Sequence, residues 1–233
     1  WDIINNKGLN TGQNFVSASH KDAKKTLAGN ISKSNWLKDK DNWIYENVLK
    51  DITEYMFFNN SHKDYFDVYI AKMKSHPKFY LKHLWVNYQK QHEFNPPHSH
   101  IGGNGFSFVV FMKIPTHYKE QHALPFSANS NMPSASNFQF LLGHEGGEVQ
   151  SLQIPLSPED EGRLLFFPAW LVHQVLPFYE CEEERITVSG NIMEQEREIS
   201  LEEKEEQVED MEREVASLKG VIQNDKENKD DER

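Results

Sequence analysis

Apolar residues recur with helical spacing in the first third of the chain and with strand-like spacing after it. From Asn42 to about Phe58 they repeat every three or four residues, which predicts a helix with one buried face. The same spacing over residues 65–73 predicts a second helix, which ends before Pro77. Residues 1 to about 35 are polar and show little periodicity, so we expect short strands and loops there.

Short runs rich in aromatic and β-branched residues follow Pro77, and turn residues such as Gly146 and Gly147 separate them. The candidate strands are 80–88, 106–114, 138–142, 149–154, 163–167, 174–178 and 185–193. Short strands after a helical lead-in predict an α+β fold that is mainly β, with a sandwich or jelly roll supported by the N-terminal helices. The long polar segment 116–137 is typical of a lid or a substrate-recognition loop.

The pattern changes again after Asn191, where a glutamate-rich helical segment begins. Apolar residues from Leu201 to Ile222 occupy the a and d positions of a heptad repeat that Lys204 interrupts. This pattern predicts either a coiled coil that forms a homo-oligomer through residues 199–222, or a solvated helix.

Length and charge indicate one domain with an acidic tail. At 233 residues the chain suits a single core. We expect this domain over residues 1–193, with helical support at about 40–76 and the jelly-roll core at about 80–193. The tail, 194–233, is expected to be helical or partly disordered, and its sixteen acidic and seven basic residues account for −9 of the net charge of −11.

Several classes of protein are excluded by the same composition. The body of the chain lacks the basic stripe that duplex nucleic acid requires, and no apolar run approaches the roughly 20 residues of a membrane span. The single cysteine, Cys181, excludes an intramolecular disulfide. Because the polar start of the chain also lacks the features of a secretory signal, we expect a cytoplasmic protein.

Three histidines form a candidate metal site. His98 and His100 are two residues apart, so on an extended segment their side chains point to the same side, and His173 follows a later strand. Imidazole ligands suit iron, zinc, copper, nickel or cobalt, and the sequence does not choose among these metals. The alternative is that the motif arose by chance, because isolated His-x-His pairs are more often surface or core residues than metal ligands.

Arg185 adds a second candidate function, because a guanidinium behind a metal can hold a carboxylate through two hydrogen bonds. The hydroxyls of Thr187 and Ser189 lie on the same face of its predicted strand. The alternative interpretation is an exposed ion pair between Arg185 and the acidic run 180–184, which would contribute little.

The chain resembles a group of 2-oxoglutarate- and iron(II)-dependent oxygenases within the prolyl 4-hydroxylase-like superfamily. The segments that carry the resemblance are 85–87, 97–100, 107–115, 166–173 and 185–191. It covers about residues 80–193 and implies a double-stranded β-helix, iron(II) at His98 and His173, and 2-oxoglutarate bridging the metal and Arg185. It also implies hydroxylation of a C–H bond of a peptidyl residue or a small-molecule substrate with dioxygen, releasing succinate and CO2.

One position departs from the wider superfamily, which has aspartate or glutamate where this chain has His100. His-x-His is usual in the narrower group, so we predict His100 as the third ligand; otherwise water or a carboxylate such as Glu145 would complete the site. We predict Asn87 as a further contact of the cosubstrate or substrate. The expected aromatic walls of the pocket are Trp85, Phe111, Phe167 and Trp170.

Two other functions stay open at this point. The chain could be a non-catalytic jelly-roll module that binds metal and assembles through its tail, but such a module has no need for Arg185. It could also be a three-histidine dioxygenase that does not use 2-oxoglutarate, with the arginine holding a substrate carboxylate. Formation of succinate separates that activity from the leading hypothesis.

Overall fold

The computed structural model describes residues 16–60, 78–100, 105–144 and 146–195, together with Arg213 and Val215. The chain divides into two units, Trp1–Gln195 and Glu196–Arg233. In the second unit the two described residues are helical and exposed. The predicted coiled coil therefore lies almost wholly outside the described residues and stays a prediction.

Helices are few in the first unit. A π-helical turn, Tyr45–Leu49, runs directly into helix α1, Lys50–Asn60, which confirms the predicted first helix. A short helix α2, Tyr118–His122, lies within the segment predicted as a loop. The 3₁₀ turns are Lys24–Thr26, Lys40–Asn42 and Pro158–Asp160. The second predicted helix, 65–73, lies outside the described residues, and no described helix is long and apolar enough to span a bilayer.

The described residues form ten strands. They are β1 Val16–Asp22, β2 Lys33–Asp39, β3 Phe79–Gln89, β4 Asn95–His98, β5 Gly105–Lys113, β6 Phe138–Gly143, β7 Val149–Ile154, β8 Leu164–Pro168, β9 His173–Val175 and β10 Arg185–Glu194. All seven predicted strands are present, although β9 is shorter than expected. The sequence pattern missed β4 and did not place β1 and β2.

The strands form two antiparallel sheets. The larger sheet has the order β1-β2-β3-β10-β5-β8 and the smaller has the order β4-β9-β6-β7. From β3 onward the chain alternates between the sheets, except that β6 and β7 are neighbours in the smaller one. This arrangement is mainly β, with few helices, and is consistent with the predicted jelly roll.

Side chains along β10 point alternately to the apolar core and to the polar face of the larger sheet. Ile186, Val188 and Ile192 point to one face of the larger sheet, where they join an apolar cluster that includes Tyr45 and Leu49 of the helical segment. The intervening residues of β10 are polar and face the other way. A second apolar cluster packs beside this polar face; its buried members are Phe111, Ile114, Phe138, Phe140, Leu156 and Phe167.

Gly190 marks a close approach within the larger sheet. A Cβ at this position would lie 2.7 Å from the backbone oxygen of His83 and 2.6 Å from the ring of Phe108. Only glycine fits there without displacing β3 or β5, so the tight pairing of these strands around β10 depends on it.

Candidate metal centre

The three predicted histidines lie together at one end of the smaller sheet. His98 of β4 pairs directly with His173 of β9, and His100 follows β4 by two residues. One ligand atom from each ring lies within 4.8 Å of the other two. The ring centroids of His98 and His173 are 4.3 Å apart, and each is 5.3 Å from that of His100. Three imidazoles at these distances can converge on one ion.

Backbone contacts orient two of the rings. The Nδ1 atom of His98 lies 2.7 Å from the carbonyl oxygen of Pro96, and Nδ1 of His173 lies 2.9 Å from that of Leu171. Because a carbonyl oxygen can only accept, each Nδ1 carries the proton and each Nε2 keeps its lone pair. Fixing the tautomer in this way is how proteins prepare histidines as metal ligands.

The sequence before His98 explains how this segment reaches the site. Pro96 cannot donate a ladder hydrogen bond, and β4 is an edge strand, where such a residue is tolerated. The backbone of His100 is fixed to the residue that follows β8, because its N–H donates to the carbonyl oxygen of Ala169 at 2.8 Å. The β8–β9 connection therefore holds the third ring in place.

Burial keeps the three rings neutral. It lowers the pKa of His173 to about 3. Burial, with the positive charge that His98 and His83 can carry, lowers the pKa of His100 to about 4. Burial also lowers the pKa of His98. Neutral imidazole is the form that binds metal, so desolvation favours ligation and disfavours the competing protonation.

The donor set fits a catalytic metal. It consists of three neutral nitrogens, and no aspartate or glutamate of the described chain joins them or lines the adjoining cavity. Glu145, the alternative ligand, lies outside the described residues. With three protein ligands, a bound ion would keep further positions open to other ligands, as catalytic metal sites do.

A cavity of about 550 Å³ opens from the histidines along the polar face of the larger sheet. Its polar residues from that sheet include Asn87, Gln89, Ser107, Thr187, Ser189 and Asn191. Of the expected aromatic walls, Trp85, Phe111 and Phe167 line the cavity, whereas Trp170 is 67% exposed and does not. The hydroxyl of Ser34 donates to Asn87 Oδ1 at 2.7 Å, which leaves the amide N–H groups of Asn87 for the cavity.

Arg185 lies at the end of the same polar face, fully buried, behind the cavity lining. It pairs in register with Gln89, and its Nη1 lies 3.5 Å from Gln89 Oε1, the limit of a hydrogen bond. Its Nη2 donates to the carbonyl oxygen of Ser136 at 3.0 Å and to the hydroxyl of that residue. The ion pair with the acidic run 180–184, the alternative interpretation of this arginine, is not formed.

This guanidinium has no acidic partner among the described residues, and its Nε–H has no hydrogen-bond partner there. Burial lowers the pKa of Arg185 to about 9, so the group still carries its charge at neutral pH. A buried, unpaired cation is costly, and an anion that reaches it gains a strong charge-assisted hydrogen bond.

Sequence reasoning missed two residues that hold Arg185. Gln89 follows Asn87 by two positions, and the period of two along β3 could have identified it as facing the site. Ser136 belongs to the long segment 116–137, where no periodic signal exists. Its φ of 71° is rare for a residue other than glycine, and such values occur often at functional sites.

A comparison with known protein families matches the segment of the chain that contains this site. A family model described as "Putative 2OG-Fe(II) oxygenase" matches residues 83–191. The predicted resemblance to the 2-oxoglutarate- and iron(II)-dependent oxygenases is confirmed. The matched segment of this oxygenase family includes His98, His100, His173 and Arg185. No curated protein matches the chain.

Solved structures of oxygenases show a weak likeness. An oxidoreductase of the 2OG-Fe(II) oxygenase family from Burkholderia pseudomallei is 11% identical, with a TM-score of 0.34, over 60% of this chain and 56% of its own. A Pseudomonas putida prolyl-4-hydroxylase is 14% identical, with a TM-score of 0.36, over 76% and 78%. A viral collagen prolyl hydroxylase from Paramecium Bursaria Chlorella virus-1, as a 2OG complex, is 14% identical, with a TM-score of 0.41, over 79% and 98%. The chain thus spans little more than half the length of the Burkholderia protein.

Proposed function

We propose that this protein is an Fe(II)- and 2-oxoglutarate-dependent dioxygenase that hydroxylates a C–H bond of a small metabolite or a peptidyl residue and releases succinate and CO2. One observation carries the proposal. The polar face of the larger sheet lines a cavity that reaches three neutral histidines, and behind this lining lies the buried guanidinium of Arg185, which has no acidic partner among the described residues. A metal site combined with a carboxylate anchor suits a cosubstrate that is both a chelator and an acid.

In this proposal His98, His100 and His173 would hold the iron, His98 and His173 through their Nε2 atoms. The contacts of His98 and His173 with backbone carbonyls keep these rings in the required tautomer. His100 supplies a neutral nitrogen where the wider superfamily has a carboxylate, so the iron keeps one more positive charge. That extra charge favours an anionic chelating ligand.

Arg185 is the proposed anchor for the distal carboxylate of 2-oxoglutarate. Its contact with Gln89, at 3.5 Å, is the longest of its hydrogen bonds and is the one that a carboxylate would replace. The hydroxyls of Thr187 and Ser189 and the amide of Asn87 line the path between the arginine and the histidines. These groups would orient the cosubstrate by hydrogen bonding along its length.

When bound, iron(II) would activate dioxygen, and 2-oxoglutarate would supply two electrons for this activation as one oxygen atom is inserted into the C–H bond. The protein positions these groups and keeps water away from them. Phe111, Phe138 and Phe167 are buried and line the cavity beside the polar strip, so water is excluded near the histidines.

Anaerobic titration of the iron(II)-loaded protein with 2-oxoglutarate tests the proposal. We expect the visible charge-transfer band of the iron chelate, followed by succinate when air is admitted. The His173→Ala variant, prepared in the same way, should show neither. Iron binding without the band and without succinate would instead favour a three-histidine dioxygenase, and a parent protein that binds no iron would favour an assembly module.

A further inference from the structure

Strand β3 contains a bulge at the rim of the cavity. Along the ladder with β10, Asn191 pairs with His83, but the next residue, Ile192, pairs with Leu81. Lys82 is therefore an extra residue with no partner on β10. A bulge interrupts the alternation of side chains and can turn a neighbouring residue toward a site. Lys82 and His83 accordingly both line the cavity, although adjacent strand residues normally face opposite sides.

Lys82 is the one permanently charged residue among those that line the cavity in the described chain. It is exposed at the rim and forms no ion pair with a described residue. Burial and the charge of Lys82 together lower the pKa of His83, which favours the neutral form of the neighbouring ring. The ammonium group of Lys82 is thus available to a ligand that enters the cavity.

Asn191 presents a second donor at the same end. It lies opposite His83 in the ladder, and its Oδ1 accepts a hydrogen bond from the Ser107 hydroxyl at 2.9 Å. With its oxygen occupied, the amide has its N–H groups left for a ligand. The lysine and the amide together can bind the two oxygens of a carboxylate.

This end of the cavity is separate from the proposed cosubstrate end. Gln89 and Lys82 are seven positions apart on β3, roughly 23 Å of extended strand. Trp85 lies between them, with its ring centroid 6.0 Å from that of His100. The histidines are therefore between Arg185 and Lys82, and a second ligand can approach them from the lysine side.

Charge balance indicates the sign of that ligand. An iron(II) ion on three neutral imidazoles, with Arg185 and Lys82, brings four positive charges to the site, and the 2-oxoglutarate dianion offsets two of them. No acidic residue of the described chain lines the cavity to offset the others. An anionic ligand is consequently favoured over a neutral or cationic one.

We propose that the substrate is an acid whose carboxylate binds Lys82 and Asn191 while the C–H bond to be hydroxylated lies beside the histidines. Trp36 and Trp85 form an aromatic wall along this part of the cavity, with ring centroids 6.0 Å apart, and pack against the apolar body of the substrate. The inference rests on the proposed function for the reaction, but the binding of an acid at Lys82 can be measured without turnover.

The test compares matched probes that differ only in charge. N-acetyl-leucine, N-acetyl-valine and N-acetyl-phenylalanine are each titrated beside their carboxamides into the anaerobic protein with iron(II) and saturating 2-oxoglutarate, and quenching of tryptophan fluorescence is followed. We expect at least one acid to bind about tenfold more tightly than its amide. The Lys82→Glu variant should lose this preference, and Lys82→Met should lose most of it.

The control is Lys38→Glu, which makes the same change of charge at an exposed position of β2 that does not line the cavity. It should change the affinity for the acid by less than twofold. The inference is overturned if no acid of the set binds better than its amide in the parent, or if the Lys38 and Lys82 variants lose the same affinity. The charge-transfer band of the 2-oxoglutarate chelate is recorded on every sample, so failure of the cosubstrate site is seen independently.

Discussion

Replacing Arg185 with methionine separates the contribution of this residue to folding from its contribution to cosubstrate binding. Burial lowers the pKa of Arg185 from 12.5 to about 9, so the protonated group disfavours the folded state at neutral pH, by about 5 kcal/mol at about 1.4 kcal/mol per pKa unit. The penalty is present below a pH of about 9 and declines as the pH rises toward 12.5.

The substitution also removes the two hydrogen bonds to Ser136, which at about 1.5–3 kcal/mol each for a charged donor amount to about 3–6 kcal/mol. Gain and loss nearly cancel, to within about 2 kcal/mol, so the midpoint of thermal unfolding without ligand should change by less than about 8 °C. Binding of 2-oxoglutarate should weaken by about 2–5 kcal/mol, which corresponds to about thirtyfold or more in the dissociation constant.

The assay is the anaerobic titration of the charge-transfer band, with iron affinity measured on the same samples. Arg163→Met serves as the control, because Arg163 is a surface arginine, 49% exposed, whose Nη2 lies 2.5 Å from Asp160. It should leave the titration unchanged. Equal affinity for 2-oxoglutarate in the Arg185 variant and the parent, with both folded, would refute the assignment of the anchor.

Three further outcomes follow from the site and the fold. His98→Ala and His173→Ala should each abolish stoichiometric iron(II) binding, measured by metal analysis after desalting, while circular dichroism stays native; full retention of iron in both would rule out the site. His100→Asp restores the carboxylate of the wider superfamily and should keep or strengthen iron binding, whereas a fall to the level of the alanine variants would show that residue 100 is not a ligand. Gly190→Ala should lower the free energy of unfolding by about 1–3 kcal/mol in urea denaturation. Gly143→Ala, where a Cβ meets no atom within 4 Å, is its control, and equal losses would contradict the close approach.

The parts of the fold that the sequence predicted are those with strong local patterns. In β10 the apolar residues Ile186, Val188 and Ile192 alternate with polar ones, which is sufficient to predict both the strand and its two faces. Spacing also predicted that His98 and His100 point to the same side, and the order of the strands added His173. The structure brings these residues together because β4 and β9 pair at His98 and His173.

Other features depend on contacts that a local pattern does not contain. The prolines of β4 oppose a strand prediction, and the strand forms because it occupies a sheet edge. The bulge at Lys82 depends on how β3 and β10 align over their whole length. Arg185 lies behind Gln89 and donates hydrogen bonds to Ser136. Its burial therefore depends on three distant parts of the chain and could not be predicted from spacing.

The two sheets contribute different groups to the candidate site. The histidines come from the smaller sheet or directly follow its edge strand, whereas Arg185, Asn191 and Lys82 come from the larger one. Under the proposed function, the choice of acid could therefore be altered by changing the rim of one sheet, without rebuilding the metal ligands on the other. The same separation would make the proposed reaction sensitive to sliding between the sheets, since a small shift would move a bound C–H bond away from the metal while the contacts within each sheet stayed intact.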